Sequence, residues 1–186
     1  DRQGADLPAV SDEIVTPFSW SAEMLRERGA TAHWFGHPLK ASRSFSPGDV
    51  PEGRYVAALP GSRSHELASH LPDLAEVVRG LAERVVFALP KGIDPGAVRA
   101  EWGRLAPERT HDEFRSDAVR PVLAGARAAL VCSGTATLEA ALARTPSVVV
   151  YVLSPSMRRE ARLIRYRRPR FVALPNILLD RAAVPE

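Results

Sequence analysis

From residue 54 onward, short runs of apolar residues alternate with longer stretches whose apolar positions recur at helical spacing. Residues 55–59, 85–89, 127–132 and 147–152 are largely apolar throughout, not at every second position. That is the pattern of strands covered on both faces. Between the first two, residues 64–83 carry Leu67, Leu71, Leu74, Val77, Val78 and Leu81 at helical intervals, with Pro72 marking a kink or break. Residues 95–105, 116–124 and 135–144 also predict helices, and a weaker strand is predicted at 109–111. A basic helix over 156–166 and a short strand at 170–173 complete the series, with Leu174-Pro175-Asn176 as the loop after that last strand. Strands alternating with helices define an α/β class with a doubly wound parallel sheet, Rossmann-like.

The first forty residues are patterned differently. Residues 1–13 read as an irregular lead-in, 13–16 as a short strand, and a helix capped by Ser19 or Ser21 runs to Arg28, where Gly29 stops it. A second strand follows at 32–35 and closes in Gly36-His37-Pro38. This strand–helix–strand piece is too small to bury a core alone. Residues 40–53, rich in Ser, Pro and Gly, read as a linker.

Composition adds bounds. The 186 residues are 45% hydrophobic and 25% charged, as in a globular domain. No apolar run approaches the length of a membrane span. The opening residues are polar, with no apolar signal core and no initiator Met, which suggests a processed, truncated or excised piece. The single cysteine, Cys132, excludes an internal disulfide and a cysteine metal site. A net charge of +3 does not point to nucleic acid. Charge is nonetheless concentrated: Arg158, Arg159, Arg162, Arg165, Arg167, Arg168 and Arg170 face only Glu160. Such a cluster suits phosphates, an anionic membrane surface or RNA, with a solvated helix face as the plainer alternative.

Every loop of special composition falls at the carboxyl end of a predicted strand, where open parallel sheets bind ligands. Pro60-Gly61-Ser62-Arg63 offers close backbone approach at Gly61, a hydroxyl at Ser62 and a guanidinium fork at Arg63, suited to a diphosphate. Pro90-Lys91-Gly92 adds an amine. Ser133-Gly134-Thr135 turns a strand into a helix and presents its N-terminal dipole and free N–H groups, a natural phosphate seat. Glu139, one turn on, is placed to accept from a ribose diol. Ser133 or Thr135 also fits a plain helix cap, and Glu139 a surface residue. No Gly-x-Gly-x-x-Gly occurs, so a nucleoside-diphosphate ligand fits better than a dinucleotide. His37, His65 and His111 are dispersed, no metal-ligand spacing occurs, and there is no serine-hydrolase elbow. Asn176 can hydrogen-bond a sugar or phosphate, or serve a turn.

In order along the chain, Leu59-Pro60-Gly61-Ser62-Arg63 with Glu66, Ser133-Gly134-Thr135-Ala136-Thr137-Leu138-Glu139, Thr145-Pro146 before a Val-rich strand to Tyr151, and Leu174-Pro175-Asn176-Ile177-Leu178 resemble the lipid-A-disaccharide synthase family. Pro17-Phe18 and Phe35-Gly36-His37-Pro38-Leu39 are similar to that family's passage between its two domains. The resemblance implies the donor-binding domain of a GT-B glycosyltransferase: residues 1–38 a remnant of the first domain, 39–53 a linker, and 54–186 the UDP-sugar domain, cut short at its end. It implies an inverting, metal-free and cofactor-free transfer of an acylated glucosamine from UDP-diacylglucosamine to lipid X, releasing UDP. Arg63 and Asn176 take the roles needed for activity; Gly61, Ser62, Lys91, Ser133, Gly134, Thr135 and Glu139 form the UDP-sugar site. Arg158, Arg159, Arg162, Arg165 and Arg168 face an anionic lipid surface. The implied partners are the UDP-sugar, a glycolipid acceptor and the inner face of the cytoplasmic membrane, with a homo-oligomer possible for the full-length protein and no nucleic acid. Two departures stand out: the family's first domain with its acidic base is missing, and Val152 replaces a usual Arg. The isolated chain is therefore expected to be inactive in transfer. A different UDP-sugar enzyme of the same architecture, epimerase-like, or a non-catalytic domain binding nucleotide or anionic lipid are the alternatives.

Overall fold

A computed structural model of the chain describes residues 6–41, 45–132, 134–152, 159 and 169–186. The chain divides into two compact units, residues 1–44 and 45–186. The predicted basic helix over 156–166, and with it Arg158, Arg162, Arg165 and Arg168, lies outside the described residues, as does Ser133.

In the first unit, a short helix α1 (Leu7–Val10) precedes strand β1 (Ile14–Val15), helix α2 (Ser19–Glu27) and strand β2 (Ala32–His33). The two strands pair in parallel, Ile14 opposite Ala32. Helix α2 buries Ala22 and Leu25 against Ala30, Ala32 and Ile14. Gly29, at φ +85°, reverses the chain where the helix ends, as its position predicted. Arg26 donates its Nε–H to the Ala32 carbonyl at 2.7 Å, tying helix to strand.

The second unit contains β3 (Tyr55–Leu59), α3 (Ser64–Val78), β4 (Arg84–Leu89), α4 (Pro95–Leu105), β5 (Glu113–Ser116), α5 (Val119–Gly125), β6 (Ala128–Cys132), α6 (Thr135–Leu142), β7 (Ser147–Val150) and α7 (Leu174–Leu179). Its five strands form one sheet in the order β5-β4-β3-β6-β7, every pair parallel. The predicted doubly wound class is therefore what the chain adopts. Alternate residues of β3, β4 and β6 feed opposite cores. Ala58, Val85, Phe87 and Leu89 pack with Leu67, Leu71 and Leu74 of α3 and Val98 and Trp102 of α4. Tyr55, Ala57, Leu59, Val86 and Val131 pack with Val122 and Leu123 of α5 and Ala140 of α6.

Local chemistry explains the elements. Phe87 stacks on Phe114 and meets Trp102 edge-on, both at 4.7 Å between ring centroids. Burying each such ring contributes roughly 1.5–3 kcal/mol. Tyr55 passes its hydroxyl to the Val122 carbonyl at 2.8 Å, joining β3 to α5. A Cβ on Gly125 would stand 2.5 Å from that hydroxyl, so only glycine fits there. Helix α4 starts on Asp94, whose carboxylate accepts from the N–H groups of Gly96 and Ala97.

Three predictions are corrected. Helix α3 runs through Pro72 but stops at Val78, short of residue 83. Leu81 N–H closes a tight turn on the Val78 carbonyl at 2.9 Å, and the Arg109 guanidinium takes the carbonyls of Leu81 (2.6 Å) and Glu83 (2.7 Å) in the non-helical segment that follows. The strand expected at 109–111 forms instead at Glu113–Ser116, because Arg109 is turned inward and bonded to Asp112 through both Nε (3.0 Å) and Nη2 (2.9 Å). Asp112 is buried and also accepts from Val85 N–H and Trp102 Nε1–H. At the end of the chain, residues 170–173 are not a strand. Leu174–Leu179 is a helix, started by Pro175 in its first turn, a position where proline's fixed φ and missing N–H are tolerated.

Candidate functional site at the carboxyl rim of the sheet

The strand order reverses direction at β3, which has β4 on one side and β6 on the other. Leu59 lies opposite Val131. The loops leaving β3 and β6 therefore emerge side by side at the topological switch point, where open α/β sheets hold their ligands.

Gly61 adopts φ +116°, and a Cβ there would lie 2.8 Å from both Cβ and Oε2 of Glu66. The crowding exists because Glu66 folds back under the loop. Its Oε2 accepts from Ser62 N–H at 2.7 Å and Arg63 N–H at 3.2 Å, and its Oε1 accepts from the Arg63 guanidinium at 2.6 Å. Burial would raise the Glu66 carboxyl, but the hydrogen bonds from Ser62 and Arg63 outweigh it and hold it below its ordinary value of 4.5. The loop thus carries an internal anion on its own N–H groups. What it offers outward is the Arg63 guanidinium, whose side chain is 68% exposed.

The neighbouring turn is the complement. Gly134, at φ +106°, is the N-cap of α6 and supplies no side-chain cap. The first N–H groups of an α-helix have no intrahelical acceptor, and the helix dipole is positive there. Gly134 and Thr135 are exposed. Further along α6, Glu139 is half-buried. Burial pushes its carboxyl up, with the Arg120 charge on α5 partly opposing. Cys132, between the two loops, is buried, and its thiol is pushed up to about 12 by burial and by the Glu66 carboxylate. It is inert as a nucleophile.

The other residues singled out from the sequence are distributed as follows. Lys91 is exposed directly after β4, on the same rim. Arg159 is exposed. Asn176 is fully buried inside α7. Its Oδ1 accepts from the N–H groups of Ala183 (2.7 Å) and Val184 (2.9 Å), and its Nδ2 donates to the Val184 carbonyl at 2.9 Å. Its amide thus anchors the closing residues of the chain. Those residues in turn brace the sheet and α7: Val149 N–H donates to the Pro185 carbonyl, and Glu186 accepts from Val172 and Ala173 N–H. Leu174 N–H donates to Thr137 Oγ1, which fastens α7 to α6.

One residue of the rim escaped the sequence reading. His70 of α3 is 2% exposed and sits between two loops. Its Nδ1 is 3.0 Å from the Pro60 carbonyl, and its Nε2 accepts from Val152 N–H at 3.2 Å. Tyr151 lies against the imidazole at 6.1 Å between centroids. A pocket of about 160 Å³ opens here, lined by Arg63, His65, Glu66, Ser69 and His70 from the start of α3 and by Tyr151 and Val152 after β7. The sequence signal was a histidine inside the apolar stripe of Leu67, Leu71 and Leu74, where a polar ring needs partners.

Fold and rim together define a Rossmann-ordered α/β domain whose switch point carries an exposed guanidinium and a helix N-terminus. Comparison with known proteins makes this specific. Residues 4–186 match the sequence model of the family described as Lipid-A-disaccharide synthetase, and the chain belongs to that family. It is 35% identical to the lipid-A-disaccharide synthase of Pseudomonas fluorescens strain SBW25, over 100% of this chain and 49% of the relative. It is 34% identical to that of Koribacter versatilis, over 94% of this chain and 47% of the relative, and 35% identical to that of Bordetella petrii, over 96% and 51%. The chain therefore spans about half the length of these relatives. Among solved structures, the crystal structure of the GtfA/B complex aligns at 10% identity and a TM-score of 0.49, covering 91% of this chain and 41% of that one. No helix among the described residues is long and apolar enough to cross a membrane, and none of their His, Cys, Asp and Glu side chains group as a metal site.

Proposed function

We propose that this chain is the donor-binding half of a lipid-A-disaccharide synthase, an inverting GT-B glycosyltransferase that holds UDP-2,3-diacylglucosamine while its acylated glucosamine passes to lipid X. One observation carries the reading: the outward Arg63 guanidinium and the uncapped N-terminus of α6 flank the switch point on adjacent strands. In the transfer, the acceptor hydroxyl attacks the anomeric carbon, the bond to the diphosphate oxygen breaks, and UDP leaves with the electron pair. The leaving group gains negative charge, which a guanidinium and a helix dipole stabilise most in the transition state. Glu139 then takes the ribose diol, and Ser62, Lys91 and Thr135 line the diphosphate. Asn176 acts at one remove, by fixing the chain's closing residues against α7. The chain spans about half the length of its relatives, and on this reading its own residues supply donor binding rather than the whole transfer. The basic segment that includes Arg159 serves a peripheral approach to an anionic membrane, where both glycolipids reside.

The test is a titration of the chain with UDP, followed calorimetrically and by Tm. Saturable binding that Arg63→Ala weakens at least tenfold supports the reading. No binding to the wild-type chain, with retained binding to anionic vesicles, favours a lipid-binding domain instead.

A further inference from the structure

We infer that His70 is a positioning residue of the donor site, clamping the segment after β7 to the loop that carries Arg63. The inference rests on the donor-site reading above and adds to it a residue that touches neither sugar nor phosphate. His70 is the only described side chain with hydrogen bonds to both sides of this rim: the Pro60 carbonyl at 3.0 Å and Val152 N–H at 3.2 Å. These two bonds fix the tautomer. Nε2 accepts from a backbone N–H and so carries the lone pair; Nδ1 carries the hydrogen and donates to the carbonyl. A neutral imidazole in this one tautomer satisfies both loops at once.

The clamp has a geometric consequence. Pro60 is three residues before Arg63, and Val152 closes the pocket that Arg63 opens. With β6 lying between β3 and β7 in the sheet, no ladder bond connects these two loops. Their spacing is set across the sheet end by the imidazole, which is itself held in the packed α3 stripe. A site that must fit a diphosphate within a few tenths of an ångström needs such support beneath it.

The paired isosteres separate the two bonds. In His70→Asn the amide nitrogen overlays Nδ1 and keeps the Pro60 bond while losing Val152; in His70→Gln the amide reaches the Nε2 position and keeps the Val152 contact. The expected result by UDP calorimetry is a loss of at least tenfold in affinity for both variants, because each frees one of the two loops that the imidazole joins. A role in stability alone would move Tm in both and affinity in neither. Amide exchange on the wild-type chain gives a reading that does not depend on any variant folding: Val152 N–H is expected to be protected at least a hundredfold. A wild type that binds UDP alongside a His70→Asn variant that binds it equally well overturns the inference alone, as does an unprotected Val152 amide. A wild type that binds no UDP overturns the donor-site reading and this inference with it.

Discussion

The Glu66 carboxylate sits directly beneath Arg63, taking its guanidinium at 2.6 Å on one oxygen and the Ser62 and Arg63 N–H groups on the other. Glu66 thereby fixes both the backbone of the loop and the direction of its charged side chain. An arginine left to itself on a surface carries about 2 kcal/mol of rotamer entropy. Here much of that freedom is removed before a ligand arrives.

Glu66→Gln removes the charge and turns one of the two acceptor oxygens into a donor. Loss of a cap of this kind costs about 1 kcal/mol, and UDP affinity falls with it because Arg63 is released. The pH dependence has a definite sign. The folded carboxyl lies below its ordinary value, so its contribution is fully present above the unfolded value near 4.5 and is lost as pH falls through the lower folded value. The Tm gap between wild type and Glu66→Gln should narrow below pH 4.5 in a denaturation series.

Gly61→Ala tests the same loop from the backbone. The new methyl meets Glu66 at 2.8 Å and φ +116° is strained for alanine. The variant should lose about 1–3 kcal/mol of stability and bind UDP more weakly than its Tm alone explains, as measured by calorimetry well below the transition.

Glu139→Gln should move stability and binding in opposite directions. Burial raises the folded Glu139 carboxyl, so ionising it at neutral pH disfavours folding. The contribution of this group is greatest below the unfolded value and is lost as pH rises through the raised one. The variant should therefore melt higher than wild type at pH 7, an advantage that shrinks on acidification, while its UDP affinity drops. Unchanged affinity would remove Glu139 from the ribose.

Asp112→Ala provides the contrast, a large effect on folding away from the rim. It leaves Arg109 buried without its carboxylate and strips Val85 N–H and Trp102 Nε1–H of their acceptor. Breaking a buried pair of this kind costs about 3–5 kcal/mol. The midpoint of chemical unfolding should fall accordingly, with UDP affinity preserved in the remaining folded fraction.

Cys132 should resist alkylation in the native chain at pH 8, since its thiol is pushed up to about 12. Iodoacetamide labelling read by mass spectrometry checks this: rapid modification without denaturant would show that the rim opens.

The parts of this architecture set by periodicity were legible in advance. Residues 55–59 and 95–105 formed the predicted elements end to end, because continuous apolar runs and an Asp94-Pro95 helix start leave little choice. The errors lie where a side chain overrides local pattern. Arg109 reads as an ordinary surface residue until its guanidinium is seen capping carbonyls from Val78 to Glu83 where α3 has ended, and its inward turn displaces β5. Asn176 reads as a loop amide, but its partners lie seven and eight residues away in a segment with no secondary-structure signature. The pairing of Glu66 with Arg63 was visible as spacing, while its effect, filling the loop's own N–H groups, depends on a backbone angle at Gly61 that no pattern encodes.

The order of strands has one more consequence, for how this molecule comes into being. Strand β3 gains its second neighbour, β6, only after some seventy intervening residues have been laid down, from Val56 to Ala128. A nascent chain emerging only as far as residue 127 would own its arginine and its glycine turn but have no helix tip beside them. On the proposed donor-site reading, nucleotide binding requires that assembly be complete, and added UDP should slow the fraying of β6 and β7 more than that of β4 and β5.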